Sequence, residues 1–208
     1  MKKKLKIKVC GLINKNNIFD ISFLFPEFIG FIFYSKSPRF VGKNYIAPNI
    51  NNSIYKVGVF VNSSKEEILK KSIINKLNYV QLHGNESPKY CEYLIKKGIK
   101  IIKVFKINKN FSFKESNNYT DLCDYFLFDT NTIYYGGSGK KFPWNKIYEY
   151  YLDIPFFISG GISIEDYKSI LNISHPKLIG IDINSKFEIF PGIKNITLLD
   201  FFLKKIRI

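Results

Sequence analysis

The chain has 208 residues, 46% of them hydrophobic, which suffices for one sizeable domain. Its formal net charge is +15, but the lysines are dispersed and Ala47 is the only alanine among many Lys, Asn, Ile, Phe and Tyr residues. A bias toward AT-rich codons explains this whole composition, whereas a nucleic-acid surface would explain the lysines alone, so we favour the former.

Strand-like and helix-like segments alternate along the chain eight times. The strand candidates are short and rich in β-branched and aromatic residues: 5–9, 30–34, 55–61, 79–82, 100–107, 125–129, 155–159 and 178–183. Between them lie polar segments with apolar residues three or four apart, such as 64–77 and 87–97, which predict helices. We expect 40–53 to form an irregular second helix and 108–122 a loop-rich connection.

This alternation predicts an α/β fold, a closed (β/α)8 TIM barrel, with residues 1–208 as a single domain. An open doubly wound sheet is the alternative, but it usually carries a glycine-rich turn after the first strand, which residues 10–13 do not provide. In a barrel, the strand carboxyl ends build the active site. Here those ends hold Cys10, Arg39, Asn62, Gln81, His83, Asp129, Ser159, Gly160, Gly161, Asp182, Asn184 and Ser185.

Cys10 and Asp129 lie at the ends of the first and sixth predicted strands, which can face each other across a barrel mouth. A thiolate and a carboxylic acid form a base and an acid suited to moving protons on a sugar. The alternatives are a small buried hydrophobe for Cys10 and a helix cap or turn former for Asp129.

A phosphate site is expected after the seventh and eighth strands. Glycines at Gly160 and Gly161 would expose backbone N–H groups, and Ser185 lies in the next such turn. The segment 136–141 lacks the spacing of a phosphate loop, so we expect a mobile active-site loop with Lys140 near the substrate. Arg39 could bind a carboxylate through its planar fork or be a solvated surface residue.

Three widely spaced cysteines predict neither a disulfide framework nor a zinc site, and no metal-ligand cluster or dinucleotide motif is evident. They fit the reducing cytosol, so we expect a cytoplasmic protein. No apolar stretch approaches the ~20 residues that a membrane span needs.

Taken in order, several short motifs resemble phosphoribosylanthranilate isomerase over essentially the whole chain. They are KVCGL (8–12), GFIFY with SPR (30–39), VGVFVN (57–62), VQLHG (80–84), FDT (128–130), GGSGK (136–140), SGG (159–161), GIDINS (180–185) and the tail residues Glu188, Pro191, Gly192 and Lys194. Among the departures, Lys186 stands where a glycine is usual, and its charge could contact a phosphate.

The resemblance implies a cofactor-free Amadori rearrangement in tryptophan biosynthesis, which converts N-(5-phosphoribosyl)anthranilate to 1-(2-carboxyphenylamino)-1-deoxyribulose 5-phosphate. By this analogy Asp129 is the general acid and Cys10 the general base, while Arg39 binds the anthranilate carboxylate. His83 and Asp182 would line the pocket. Backbone groups of Gly160, Gly161 and Ser185 would bind the phosphate.

Other functions remain possible from the sequence. A related barrel isomerase could act on another aminosugar phosphate, but the histidine-pathway enzyme has an aspartate where Cys10 stands. A basic nucleic-acid-binding protein and a decayed, inactive barrel are further alternatives. The expected partner is a small phosphorylated substrate, without nucleic acid or membrane, together with a homodimer or other tryptophan-pathway enzymes.

Overall fold

The computed structural model describes residues 4–130 and 143–207. Eight parallel strands pair in chain order, and the last pairs with the first, which closes a barrel. The strands are β1 (Lys6–Val9), β2 (Phe28–Ile32), β3 (Tyr55–Phe60), β4 (Tyr79–Leu82), β5 (Ile101–Ile107), β6 (Tyr125–Thr130), β7 (Phe156–Ile158) and β8 (Leu178–Ile183). The prediction of a (β/α)8 barrel is therefore confirmed.

Helices cover the outside of the barrel. The α-helices are α1 (Lys15–Ser22), α2 (Lys65–Asn75), α3 (Pro88–Lys96), α4 (Tyr167–Leu171) and α5 (Ile196–Ile206), and 3-10 helices span Phe113–Leu122, Trp144–Glu149, Ile164–Asp166 and Ser185–Phe187. The predicted start of α2 is confirmed, because the Ser64 hydroxyl accepts a hydrogen bond from the Glu67 amide at 3.1 Å. Among the described residues, no helix is both long and apolar enough to cross a membrane.

Two connections differ from the expectation. Residues 40–53 form no helix, because Pro48 and the surrounding asparagines favour turns over helical backbone. The segment is instead anchored by side chains: the Tyr45 ring packs on Phe31, and the Ala47 amide donates to Asn75 at 2.8 Å. The stretch predicted as loop-rich contains the 3-10 helix Phe113–Leu122.

Aromatic rings fill the barrel interior at the amino-terminal ends of the strands. Phe28, Tyr55, Tyr79, Tyr125 and Phe157 pack with ring centroids between 5.3 and 6.1 Å apart. We call these five residues the aromatic plug. Its tilted and edge-on contacts are the favourable geometries for such rings. The interior is thus solidly packed at one end.

Above the plug the interior becomes polar. Along β1, Ile7 and Val9 point outward into the hydrophobic core, while Lys8 and Cys10 point inward, as the two-residue period of a strand requires. Lys8 is fully buried and stands in register with Asp182 of β8.

After β8 the chain forms a two-stranded antiparallel ribbon, β9 (Glu188–Phe190) and β10 (Ile193–Lys194). This ribbon returns polar side chains to the same end of the barrel. The fold therefore gathers its buried polar groups at the carboxyl ends of the strands.

Candidate active site

A cleft opens at the carboxyl ends of the barrel strands. Its lining includes most of the predicted site residues: Cys10, His83, Asp129, Gly160, Gly161, Asp182 and Ser185. Arg39 lies beside the cleft rather than in its lining. The segment 136–141, with Lys140, falls outside the described residues.

Cys10 enters the cleft from the end of β1. Its amide donates to the Ile183 carbonyl at 2.9 Å, which ties the residue to β8. Gly11 follows with a φ of 75°, and a Cβ there would stand only 2.7 Å from Arg39 Cδ. Glycine is therefore required at this turn both for the backbone shape and for the close approach of Arg39.

A buried ion pair lies directly beneath the thiol. The Lys8 ammonium donates to Asp182 Oδ1 at 2.9 Å, and both side chains are almost completely buried. Burial raises the pKa of the Asp182 carboxyl, and the opposing effect of Lys8 does not cancel that rise. Asp182 lines the cleft, and its carboxylate is paired with Lys8 inside the barrel.

Asp129 ends β6 on the other side of the cleft. Its Oδ1 accepts the Thr130 amide at 2.8 Å, and its Oδ2 lies 3.3 Å from His83 Nε2. That second contact is close enough for an ion pair but is not aligned as a hydrogen bond. Gln81 Nε2 lies 3.3 Å from His83 Nδ1, and when Gln81 donates there, the imidazole proton is on Nε2, facing Asp129.

The turn after β7 carries the predicted phosphate-binding glycines. Gly160 and Gly161 have φ values of 95° and 63°, a backbone region in which side chains are strained. Ser185 begins a 3-10 helix after the neighbouring strand β8 and lines the same cleft. Lys186 is exposed and lies outside the cleft lining.

Arg39 forms a bidentate ion pair with Glu188 of the β9–β10 ribbon. Its Nε and Nη2 donate to the carboxylate at distances between 2.6 and 3.0 Å. Glu188 also accepts from Lys194 Nζ at 2.7 Å, and Lys194 donates to Asn184 at 2.6 Å. Burial lowers the pKa of Lys194 to about 8, although Glu188 acts in the opposite direction.

Three further polar residues at this end of the barrel, Lys8, Glu188 and Lys194, have no role predicted from the sequence. One signal for Lys8 was present, since a lysine at an inward position of a short, otherwise buried strand needs a buried partner. Its partner Asp182 lies 174 residues away, so the pair becomes evident only with the barrel register. Within residues 4–130 and 143–207, no group of three or more His, Cys, Asp and Glu residues could hold a metal ion.

Known sequences resemble this chain over nearly its whole length. The family model of N-(5'phosphoribosyl)anthranilate (PRA) isomerase matches residues 7–205. A protein of Parabacteroides distasonis named N-(5'-phosphoribosyl)anthranilate isomerase is 45% identical over 204 residues, covering 96% of this chain and 92% of its own length. A protein of the same name from Phocaeicola vulgatus is 38% identical over 201 residues, covering 97% of both chains.

Solved structures agree with these sequence matches. The phosphoribosyl anthranilate isomerase of Thermotoga maritima superposes with a TM-score of 0.84 at 30% identity, covering 97% of this chain and 98% of that one. A phosphoribosyl anthranilate isomerase in complex with reduced 1-(o-carboxyphenylamino)-1-deoxyribulose 5-phosphate superposes at 0.81 with 27% identity, again covering 97% and 98%.

Proposed function

This chain belongs to the N-(5'-phosphoribosyl)anthranilate isomerase family, and from that premise we propose how its own residues perform the isomerisation in tryptophan biosynthesis. The observation that carries the proposal is the position of Cys10 and Asp129 in one cleft, together with the Gly160–Gly161 turn. The cleft combines a base, an acid and a phosphate-binding turn, which this rearrangement needs.

In the first step Asp129 acts as the general acid. Its carboxyl group gives a proton to the ribose ring oxygen as the bond from that oxygen to C1 breaks. The lone pair of the anthranilate nitrogen then forms a double bond to C1, which gives an open-chain protonated imine (iminium ion). His83 and the Thr130 amide hold the Asp129 carboxyl in place for this transfer.

In the second step Cys10 acts as the general base. Its thiolate removes the proton from C2, and the bonding electrons form a C1–C2 double bond while the nitrogen recovers its lone pair. The resulting enolamine tautomerises to the ketone when C1 gains a proton and the C2 hydroxyl loses one. A thiolate is required, because a protonated thiol has no basic electron pair of comparable strength.

The two anionic ends of the substrate need separate binding groups. We propose that backbone N–H groups at Gly160, Gly161 and Ser185 bind the phosphate. Arg39 would bind the anthranilate carboxylate. Its Nε and Nη2 are directed at Glu188, so the Nη1 side of the fork is the one available to a substrate.

Turnover of N-(5'-phosphoribosyl)anthranilate by single variants tests the acid and the base. We expect Cys10→Ala and Asp129→Asn each to lower kcat by about 10²-fold or more, the scale of a general acid or base. The matched control is Cys91→Ala, since Cys91 is also buried but lies on α3, outside the cleft lining. It should keep wild-type kcat.

Circular dichroism and urea unfolding of the same variants check that the barrel is intact. Near wild-type turnover in folded Cys10→Ala would remove the thiolate from the mechanism, and the same result for Asp129→Asn would remove the acid. A loss of activity that Cys91→Ala shares would point to general damage and contradict both assignments.

We also propose a reducing, cytosolic setting and a homodimer. Cys10, Cys91 and Cys123 are all free thiols, and oxidation of Cys10 would abolish its basicity. One solved structure similar to this chain is of monomers generated from the dimeric phosphoribosylanthranilate isomerase of Thermotoga maritima. Light scattering on the purified protein should give twice the chain mass, and a monomer mass would contradict the dimer.

A further inference from the structure

We propose that Lys8 is a positioning residue that stabilises the thiolate form of Cys10 during the isomerisation. The inference rests on the proposed role of Cys10 as the general base, and it adds a residue that need not touch the substrate. Lys8 acts through the thiol, because its side chain is fully buried beneath the cleft and is not part of the cleft lining.

Geometry brings the ammonium and the sulfur together. Gly30 on the neighbouring strand β2 has no side chain, and both groups lie against the space that a Cβ would fill there. That point is 2.7 Å from Cys10 Sγ and 3.2 Å from Lys8 Nζ. The absence of a side chain at Gly30 therefore makes a common compartment for the lysine and the cysteine inside the barrel.

Asp182 keeps the lysine charged in this compartment. An isolated ammonium would lose its proton on full burial, because burial penalises the charged form. Burial lowers the pKa of Lys8, but the carboxylate of Asp182 and the nearby Cys10 together raise this pKa by more, so the net shift is upward. The two anionic neighbours thus favour a positive charge on Lys8 beneath Cys10.

Burial works against the thiolate at the same place. It raises the pKa of the Cys10 thiol, Lys8 lowers it and Asp182 raises it, with a net rise above the ordinary value. Lys8 is the largest of the influences that favour the thiolate. Without Lys8, burial and the Asp182 charge would act with little opposition, and the pKa of the Cys10 thiol would rise further.

Other charged groups act on the Cys10 thiol less strongly than Lys8 and Asp182 do. Lys194 of β10 adds a smaller favourable influence on the Cys10 thiolate. Asp129 of β6 and His83, which follows β4, act on Asp182 with opposite signs. Lys8 and Asp182 are thus the pair whose substitution should move the Cys10 titration in opposite directions.

The experiment follows alkylation of Cys10 by iodoacetamide in the ligand-free protein across a range of pH. Peptide mapping by mass spectrometry reports Cys10 separately from Cys91 and Cys123. In Lys8→Met the pH midpoint for Cys10 should rise by about one to three pH units, the usual effect of losing an adjacent opposite charge. The alkylation rate at pH 7.5 should fall at least about tenfold.

Asp182→Asn supplies the opposite sign. It removes the carboxylate that raises the Cys10 pKa, and it leaves the Cys10 thiolate as the remaining anionic partner of the buried Lys8 ammonium, so the midpoint should fall. If Lys8 had only a structural role, substitutions of the two partners in the Lys8–Asp182 ion pair would not shift the Cys10 midpoint in opposite directions. Where Lys8→Met fails to fold, the Asp182→Asn midpoint decides: a fall supports the proposal, and an unchanged or higher midpoint overturns it.

Lys103→Met is the matched control. Lys103 is also a buried barrel lysine, on β5, and it pairs with Glu86 at 2.8 Å on the outer side of the barrel. Its removal should leave the Cys10 midpoint unchanged. An equal shift in Lys103→Met and Lys8→Met would overturn the proposal, as would an unchanged midpoint in folded Lys8→Met.

The test also separates this inference from the proposed function. Alkylation needs no substrate, so a Lys8 effect on the thiol can be found even if Cys10 proves not to be the base. If both hold, the acidic limb of the kcat/KM profile should move up in Lys8→Met by the same amount as the alkylation midpoint. A shifted midpoint with an unshifted kcat/KM limb would overturn the link to catalysis.

Discussion

Gly30→Ala places one methyl group in the compartment shared by Cys10 and Lys8. Gly30 lies in β2 and is not among the residues with positive φ, so alanine fits its backbone. The added Cβ would stand 2.7 Å from Cys10 Sγ, closer than real Cβ contacts come, and 3.2 Å from Lys8 Nζ. The thiol must therefore move, and the closed barrel around it limits where it can go.

The cost has two parts of opposite sign. Overpacking of a well-packed interior costs about 1–3 kcal/mol. Replacing glycine reduces the freedom of the unfolded chain, which returns about 0.4–1 kcal/mol. We therefore expect a net loss of about 1–2 kcal/mol in the free energy of unfolding. Displacing the sulfur by about 1 Å should lower kcat about 10²-fold, because proton transfer depends steeply on geometry.

Gly58→Ala is the control on the neighbouring strand. Gly58 lies in β3, but its missing side chain faces outward, where a Cβ would meet Leu77 Cδ1 and, at 2.8 Å, Phe60 Cε2. A comparable loss of stability is expected, with kcat close to wild type. Urea unfolding supplies the free energies, and turnover of N-(5'-phosphoribosyl)anthranilate supplies kcat.

The comparison can refute the geometric reasoning in a simple way. If Gly30→Ala keeps wild-type kcat while it loses stability, the position of the sulfur over Gly30 does not matter for turnover. If both variants lose kcat equally, the loss follows from reduced stability and not from the displaced thiol.

Two further predictions concern the ribbon end of the cleft. A double-mutant cycle with Arg39→Met and Glu188→Gln, measured by urea unfolding, should give a coupling free energy of about 1.5–3 kcal/mol, because the ion pair is buried and bidentate. A coupling free energy below about 0.5 kcal/mol, which is typical of exposed pairs, would contradict this prediction. The Lys194 pKa of about 8 lies below its unfolded value of 10.5, so between these values the unfolded chain binds the extra proton. The fold therefore becomes more stable as pH rises through this range, because the destabilisation by this group is relieved. The stability of wild type relative to Lys194→Met should thus grow by about 2 kcal/mol from pH 8 to pH 10, and a constant difference would be the contrary result.

The strand-end residues could be predicted from the sequence because they depend on local signals. Cys10 and Asp129 each follow a short buried strand, and in a parallel barrel all such ends meet at one rim. Their chemistry needed no knowledge of the neighbouring strand's register.

Pairing partners could not be predicted in the same way. The contact of Lys8 with Asp182 depends on the register between the first and the last strand, and that of Arg39 with Glu188 spans 149 residues. No local pattern encodes such separations. The prediction of a helix over residues 40–53 was wrong for a local reason. Pro48 and the neighbouring asparagines favour turns over helical backbone.

The same long sequence separations determine when the barrel can close as the polypeptide chain is synthesised. Cys10 is synthesised long before its neighbouring strand β8, yet β1 pairs with β8, and Asn17 exchanges two hydrogen bonds with Lys194. Until β8 has been made, the first strand has only one of its two neighbours, and the buried Lys8 on it has no counter-charge. The strands made earlier must therefore wait as an incomplete sheet with an open edge, where pairing with other chains is the main hazard. Closure of the barrel and completion of the cleft are one event, which requires the last strand.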